Sequence, residues 1–100
     1  MATFNELWSR YGRDRRPANI GATAGGVAIG ELDNEIQDVA SSYAGLRRDV
    51  GAWRVARLGL ALASVERILP LVEPPATKAY FVRLAELARA TLAEIATDEA

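Results

Sequence analysis

Large apolar residues recur along the middle of the chain at alternating steps of three and four positions. They are Ile29, Leu32, Ile36, Val39, Tyr43, Leu46, Val50 and Trp53. Such steps place side chains on one face of an α-helix, and their mean spacing of about 3.5 residues is typical of helices that pair along a seam. Acids lie at the start of the segment and arginines near its end, which suits the helix macrodipole. The pattern predicts a helix over about 31–49, a break near Gly51, and Trp53 on the next helix.

A second apolar stripe begins in a new phase after this break. It comprises Val55, Leu58, Leu62, Val65 and Leu69. Pro70 ends the helix that carries it, so the predicted span is 52–69. Because this segment is apolar on most faces, we expect it to be the central helix, buried on most sides.

A last helix is predicted over 75–97, because Pro75 is suited to a first helical position. Its apolar face comprises Phe81, Leu84, Ala85, Ala88, Leu92 and Ile95. Arg83, Glu86 and Arg89 lie toward its solvent side, at spacings that allow ion pairs.

The amino terminus predicts a short amphipathic helix over 4–11. Thr3 and Glu6 have the spacing of a capping box, in which each side chain bonds the backbone of the other residue. One face carries the apolar and aromatic side chains Phe4, Leu7, Trp8 and Tyr11. So short a helix is not stable alone in water, so this face must dock on the chain's own core or on another chain.

The segment that follows is rich in arginine and glycine. Arg10, Arg13, Arg15 and Arg16 surround Asp14, and four glycines follow among alanines. This composition is typical of a linker or an extended arm. The predicted organisation is therefore an amino-terminal helix and arm over 1–30 and a helical bundle over 31–100, in an all-α fold.

Composition excludes much catalytic chemistry. The 100 residues include no cysteine and no histidine, and the net charge is −1. The carboxylates Glu31, Glu35 and Asp38 share a helical side, but acids are common at a helix start. We therefore expect no catalytic residue, no metal and no cofactor, and the charge argues against nucleic acid and membrane. A cytoplasmic location is the default. Eleven arginines against one lysine, with nineteen alanines, are consistent with a bacterial source.

The leading functional hypothesis is a non-catalytic helical module for protein–protein interaction. It self-associates, as a homodimer, through the seam of Ile29–Trp53. The residues predicted to bind a partner are Phe4, Leu7, Trp8, Tyr11, Arg13, Arg15, Arg16, Tyr43, Leu46, Val50 and Trp53.

Two alternatives stay open. The chain could be a small accessory subunit or regulator of an enzyme or toxin, with residues 1–30 wrapped around a larger protein partner. It could instead bind an apolar small molecule inside the bundle, beside the helix of Val55–Leu69.

Overall fold

Four α-helices make up most of the chain: α1 (Phe4–Arg13), α2 (Ile29–Leu46), α3 (Ala52–Ile68) and α4 (Pro75–Glu99). They are seen in a computed structural model that describes residues 2–46 and 50–99. A two-stranded hairpin of β1 (Thr23–Ala24) and β2 (Val27–Ala28) precedes α2, and a 3-10 turn (Leu69–Leu71) follows α3. The predicted all-α bundle is confirmed.

The break between α2 and α3 lies where the apolar pattern changes phase. Gly51 has a φ of 90°, a conformation that favours glycine, and α3 begins at the next residue. Trp53 therefore belongs to α3, as predicted. The predicted end of α2, at residues 47–49, lies outside the described residues.

The apolar stripe of α2 faces the core of its own chain. Its buried members are Ile29, Leu32, Ile36, Val39, Tyr43 and, beyond the helix, Val50. These side chains meet α3 and α4, against which α2 packs. The regular spacing thus serves intramolecular packing.

The central helix is α4, and the prediction that the helix of 52–69 holds this position is wrong. α4 packs against α1, α2 and α3, and it buries Tyr80, Phe81, Leu84, Leu87 and Ala88. α3 buries only its inner face, which comprises Leu58, Ala61, Leu62, Val65 and Ile68. Its outer face is also apolar but is exposed. The apolar composition of the helix therefore does not reveal which of its faces is buried.

The amino-terminal helix docks on this core through its aromatic face. The capping box is present, with Thr3 Oγ1 accepting from the Glu6 amide at 3.2 Å and Glu6 Oε1 accepting from the Thr3 amide at 3.1 Å. These bonds to its carboxylate hold the pKa of Glu6 below its usual value. Phe4 and Leu7 are buried, and the Phe4 ring meets Tyr43 edge-on at a centroid distance of 4.9 Å.

An aromatic row extends from this contact along α1 and on to α4. Its successive members are Tyr43, Phe4, Trp8, Tyr11, Tyr80 and Phe81, with ring centroids between 4.9 and 6.3 Å apart. The row joins α2, α1 and α4 through offset and edge contacts, which add to the stabilisation from burial alone.

The glycine-rich segment folds into a hairpin that the sequence analysis missed. Gly25 and Gly26 both have positive φ, 55° and 79°, and they form the two-residue connection between β1 and β2. Two adjacent glycines are a known signal for such a turn. Each strand has only two residues, so no alternating pattern accompanies the signal.

Candidate functional site

A buried carboxylate lies where α1, the following segment, α2 and α4 meet. Asp33 on α2 is 1% exposed. The Tyr11 hydroxyl donates to its Oδ1 at 2.9 Å, and the Tyr80 hydroxyl lies 3.0 Å from both of its oxygens. Arg16 Nε donates to Oδ2 at 3.0 Å. The charge is therefore paired and hydrogen-bonded, as a buried carboxylate requires.

The element that carries each hydrogen-bond partner of Asp33 places that partner near the carboxylate. Tyr11 ends the aromatic face of α1, and Tyr80 lies on the buried side of α4. Arg16 follows α1, and its Nη2 also donates to Asn34 Oδ1 at 2.9 Å. The cluster thus ties the segment after α1 to the start of α2.

Burial favours the protonated form of the hydroxyl groups of Tyr11 and Tyr80. It raises the pKa of Tyr11 to about 12, and it raises the pKa of Tyr80 well above the usual value. Both phenols therefore remain hydrogen-bond donors at neutral pH. Asp33 already accepts from three side chains and is out of contact with solvent, so the cluster is suited to holding structure together rather than to proton transfer.

Replacement of Tyr11 by phenylalanine is expected to lower the free energy of unfolding by about 1–2 kcal/mol at pH 8, because one donor to Asp33 is lost. The folded-state pKa of Tyr11, about 12, is above its unfolded value of 10.0. The contribution of its hydroxyl is therefore complete below pH 10 and is lost as the pH rises toward 12. Urea unfolding of both proteins at several pH values tests this. The gap in stability should narrow from pH 10 to 12, and a constant gap would contradict the assignment.

The segment after α1 is fixed to the bundle at further points. Asp14 Oδ2 accepts from Arg83 Nε at 2.8 Å, and the Asn19 side chain accepts from the Thr77 hydroxyl at 2.7 Å. The side-chain amide of Asn19 also donates, through Nδ2, to the backbone carbonyl of Glu73 at 2.8 Å. Residues 14–20 therefore lie along α4, and we call them the arm.

The charges predicted on the solvent side of α4 bond to other elements. Glu86 pairs with Arg10 at 3.5 Å and Arg89 pairs with Glu66 at 3.2 Å, in addition to the pair of Arg83 with Asp14. The ion pairs thus connect α4 to α1, to α3 and to the arm.

A groove with a volume of about 520 Å³ lies between the arm and the first half of α4. The arm supplies Arg15, Arg16, Pro17, Ala18 and Asn19. The other wall comprises Pro74, Ala76, Thr77, Tyr80 and Arg83. Thr77, Tyr80 and Arg83 follow one another at three-residue steps, so they share one face of α4. Tyr80 joins this groove to the Asp33 cluster.

The second candidate surface is the outer side of α3. Trp53 is 56% exposed and Leu60 is 71% exposed, and Ala56 and Ala63 are exposed between and beyond them. The steps of three, four and three place these four residues, which we call the α3 face, along one side of the helix.

Two guanidinium groups cover part of the Trp53 ring. The Cζ atoms of Arg54 and Arg57 lie 4.6 and 5.4 Å from the ring centroid. These distances are within the range of cation–π attraction. Trp53 is therefore held in place on the surface although it is not buried.

The residues predicted to bind a partner occupy different environments. Phe4, Leu7, Tyr43 and Val50 are buried in the core, Trp8 and Tyr11 are half-buried, and Arg13, Arg15, Arg16 and Trp53 are exposed. The side chain of Leu46 lies outside those described. Tyr43 and Val50 are buried within one chain, so Trp53 is the exposed member of the predicted dimer seam among the described side chains.

Sequence reasoning missed Asp33 and Leu60 as features of interest. Asp33 lies four residues after Ile29 and three before Ile36, so an acid occupies a position with the spacing of the apolar stripe. That spacing is a signal for a paired, buried carboxylate. Within residues 2–46 and 50–99, no group of three or more potential ligand side chains could hold a metal, and Glu31, Glu35 and Asp38 form no such group.

Comparison of the chain with protein families, with curated proteins and with solved structures finds no match. In the described part of the chain, no helix has the length and apolar character needed to cross a membrane. The described residues form a small all-α bundle with a covered carboxylate, an arginine-lined groove and an exposed apolar face on α3.

Proposed function

We propose that the protein is a non-catalytic interaction module that forms a homodimer through the α3 face. The observation that carries this proposal is the exposure of Trp53 and Leu60 on a helix whose opposite side is core. Tryptophan and arginine are enriched among the residues that dominate binding energy at interfaces, and Trp53 lies beside Arg54 and Arg57. The proposal retains the homodimer predicted from the sequence but places its interface on α3 instead of on the apolar stripe of α2.

A second copy suits this face because the face complements itself when two α3 helices run antiparallel. A twofold axis at Leu60 brings the two Leu60 side chains together. Ala56 and Ala63 lie on either side of Leu60, and their small side chains let the helices approach closely. Trp53 lies about 10 Å from Leu60 along the axis, at 1.5 Å per residue. It therefore reaches beyond the alanines to the far end of the partner helix.

The position of Arg67 on α3 favours the same arrangement. In the antiparallel register Trp53 lies level with Arg67 of the second copy. This pairing allows a cation–π contact, because Trp53 and Arg67 both lie within about 20° of the Leu60 direction at 100° per residue. Arg67 is exposed and forms no ion pair with a described residue, so its guanidinium is available for this contact.

The alternative of an accessory subunit rests on residues 1–30 being free to wrap a partner. Here the arm bonds to its own chain through Asp14, Arg16 and Asn19. A larger partner could still use the α3 face, and hetero-association would then replace the second copy. A cytoplasmic location remains part of the proposal on the sequence grounds given above.

Sedimentation across the micromolar range tests the dimer. The wild-type chain is expected to sediment as a dimer, and Leu60→Glu is expected to weaken dimerisation about 100-fold or more, because the change places two charges at the centre of the interface. Val82→Glu, at an exposed residue of α4, is the matched control and should leave the dimer intact. A wild-type chain that is monomeric throughout would contradict the proposal.

Cysteine cross-linking tests the relative orientation of the two α3 helices. The sequence contains no cysteine, so an introduced cysteine can form a disulfide only with its copy in the second chain. Leu60→Cys is expected to form an intermolecular disulfide readily, since the twofold axis brings the two positions together. Ala56→Cys places its sulfurs farther apart and should cross-link poorly, because disulfides need Cα atoms within about 7 Å. Equal cross-linking at both positions would indicate parallel helices and overturn the antiparallel geometry.

A further inference from the structure

The groove between the arm and α4 has an unusual charge inventory. Three guanidinium groups line it, and no carboxylate does, although the chain as a whole has a net charge of −1. Asp14 and Asp33 do not line the groove and are paired with Arg83 and Arg16. Glu73 precedes the lining residue Pro74 in the chain, but it does not line the groove either. The surface that an incoming molecule meets is therefore cationic.

The arginines retain donors that the protein does not use. Arg15 forms no hydrogen bond or ion pair with any residue in the described ranges. Arg83 donates through Nε to Asp14, and its two Nη groups bond to no described residue. Arg16 uses Nε and Nη2 and leaves Nη1. Guanidinium donors in this fork arrangement are suited to the oxygens of carboxylates and phosphates.

The remaining lining is mostly apolar. Pro17 and Ala18 from the arm face Pro74 and Ala76 at the start of α4. A volume of about 520 Å³ falls within the range of small-molecule sites, which combine apolar walls with a few placed polar groups. An inorganic anion alone would leave these walls uncovered.

We propose that this groove binds a small organic anion, with its carboxylate or phosphate held by Arg15 and Arg83 and its apolar body against Pro17 and Pro74. The dimer surface on α3 is not needed for this site, and the two proposals stand or fall separately. Thr77 and Tyr80 form the floor, where their hydroxyls are already bonded to Asn19 and Asp33. The floor is thus fixed before the ligand arrives.

Binding has a consequence for the arm. A ligand that bridges Arg15 on the arm and Arg83 on α4 adds a connection between the two walls. Opening of the arm then requires release of the ligand, so the bound protein should resist tryptic cleavage after Arg15. Protection from trypsin at Arg15 is a readout that does not depend on knowing the natural ligand.

Calorimetric titration with phenyl phosphate and benzoate tests the site, with benzyl alcohol and inorganic phosphate as partial probes. Both aromatic anions should bind. The neutral alcohol should fail because it lacks the charge, and inorganic phosphate should bind more weakly because it lacks the apolar body. Preference for phenyl phosphate over benzoate, or the reverse, identifies which anionic group the arginines favour. Equal binding of benzyl alcohol, or no binding of either aromatic anion, would overturn the proposal.

Two arginine variants locate the binding. Arg15→Gln should weaken phenyl phosphate binding about tenfold, since one charge-assisted contact is lost. Arg13→Gln is the matched control, an exposed arginine two residues away that does not line the groove. It should bind as the wild type does. Circular dichroism checks that both variants fold. Equal affinity in Arg15→Gln and Arg13→Gln would refute the assignment to this groove.

Discussion

Replacement of Asp33 by alanine is expected to lower the free energy of unfolding by about 3–5 kcal/mol, the cost of removing one partner from a buried charge network. The Tyr80 hydroxyl is buried and bonds both carboxylate oxygens, so it is left without its acceptor. Arg16 loses its anchor, and the arm loses its connection to α2. Urea denaturation followed by circular dichroism measures the change.

Two matched variants separate this effect from a general loss of charge. Asp33→Asn keeps the shape and one acceptor oxygen, and it should cost less than Asp33→Ala. Asp38→Ala removes an acid from the same helix, where its pair with Arg57 is long, 3.5 Å, and half-exposed. Such a pair contributes little, so Asp38→Ala should change stability by less than about 1 kcal/mol. Similar losses in Asp33→Ala and Asp38→Ala would show that the buried cluster is not an anchor.

Replacement of Gly30 by alanine is expected to destabilise the protein by about 1–3 kcal/mol, the usual cost of overpacking a tight contact. A Cβ atom at Gly30 would lie 2.7 Å from the Ile20 carbonyl oxygen, a backbone atom that cannot swing away. The end of the arm would have to shift, so trypsin should cut the arm faster after Arg15. Thermal unfolding and timed proteolysis report the two consequences.

Gly12 supplies the control for this prediction. It lies in α1, and a Cβ atom there would meet nothing within 4 Å. Alanine is the better helix former, so Gly12→Ala should be neutral or should stabilise by up to about 1 kcal/mol. If Gly30→Ala were as stable as Gly12→Ala, the close approach of the Ile20 carbonyl to Gly30 would not contribute to the stability of the fold.

Local features could be predicted from the sequence because they depend on neighbours along the chain. The capping box of Thr3 and Glu6, the break at Gly51 and the start of α4 at Pro75 each follow from a few residues and their backbone preferences. The apolar periods of α2 and α4 likewise identified most of their buried positions.

Tertiary features could not be predicted in this way. The outer and inner sides of α3 are both apolar, so periodicity alone cannot tell that Leu60 is exposed while Leu58 is buried. The partners of Asp33 come from positions 11, 16 and 80, which only the packed fold brings together. The groove forms because the arm lies along α4. The glycine-rich sequence that follows the arm does not indicate this course of the chain.

The two tryptophans provide separate optical reporters of this molecule. Trp8 stacks between Phe4 and Tyr11 inside the aromatic row, so its emission follows the docking of α1. Trp53 lies on the α3 face beneath two guanidinium groups, where a second helix would shield it from water and from collisional quenchers. With Trp8 replaced by phenylalanine, fluorescence quenching by acrylamide reads the state of the α3 face alone, and with Trp53 replaced it reads the integrity of the fold.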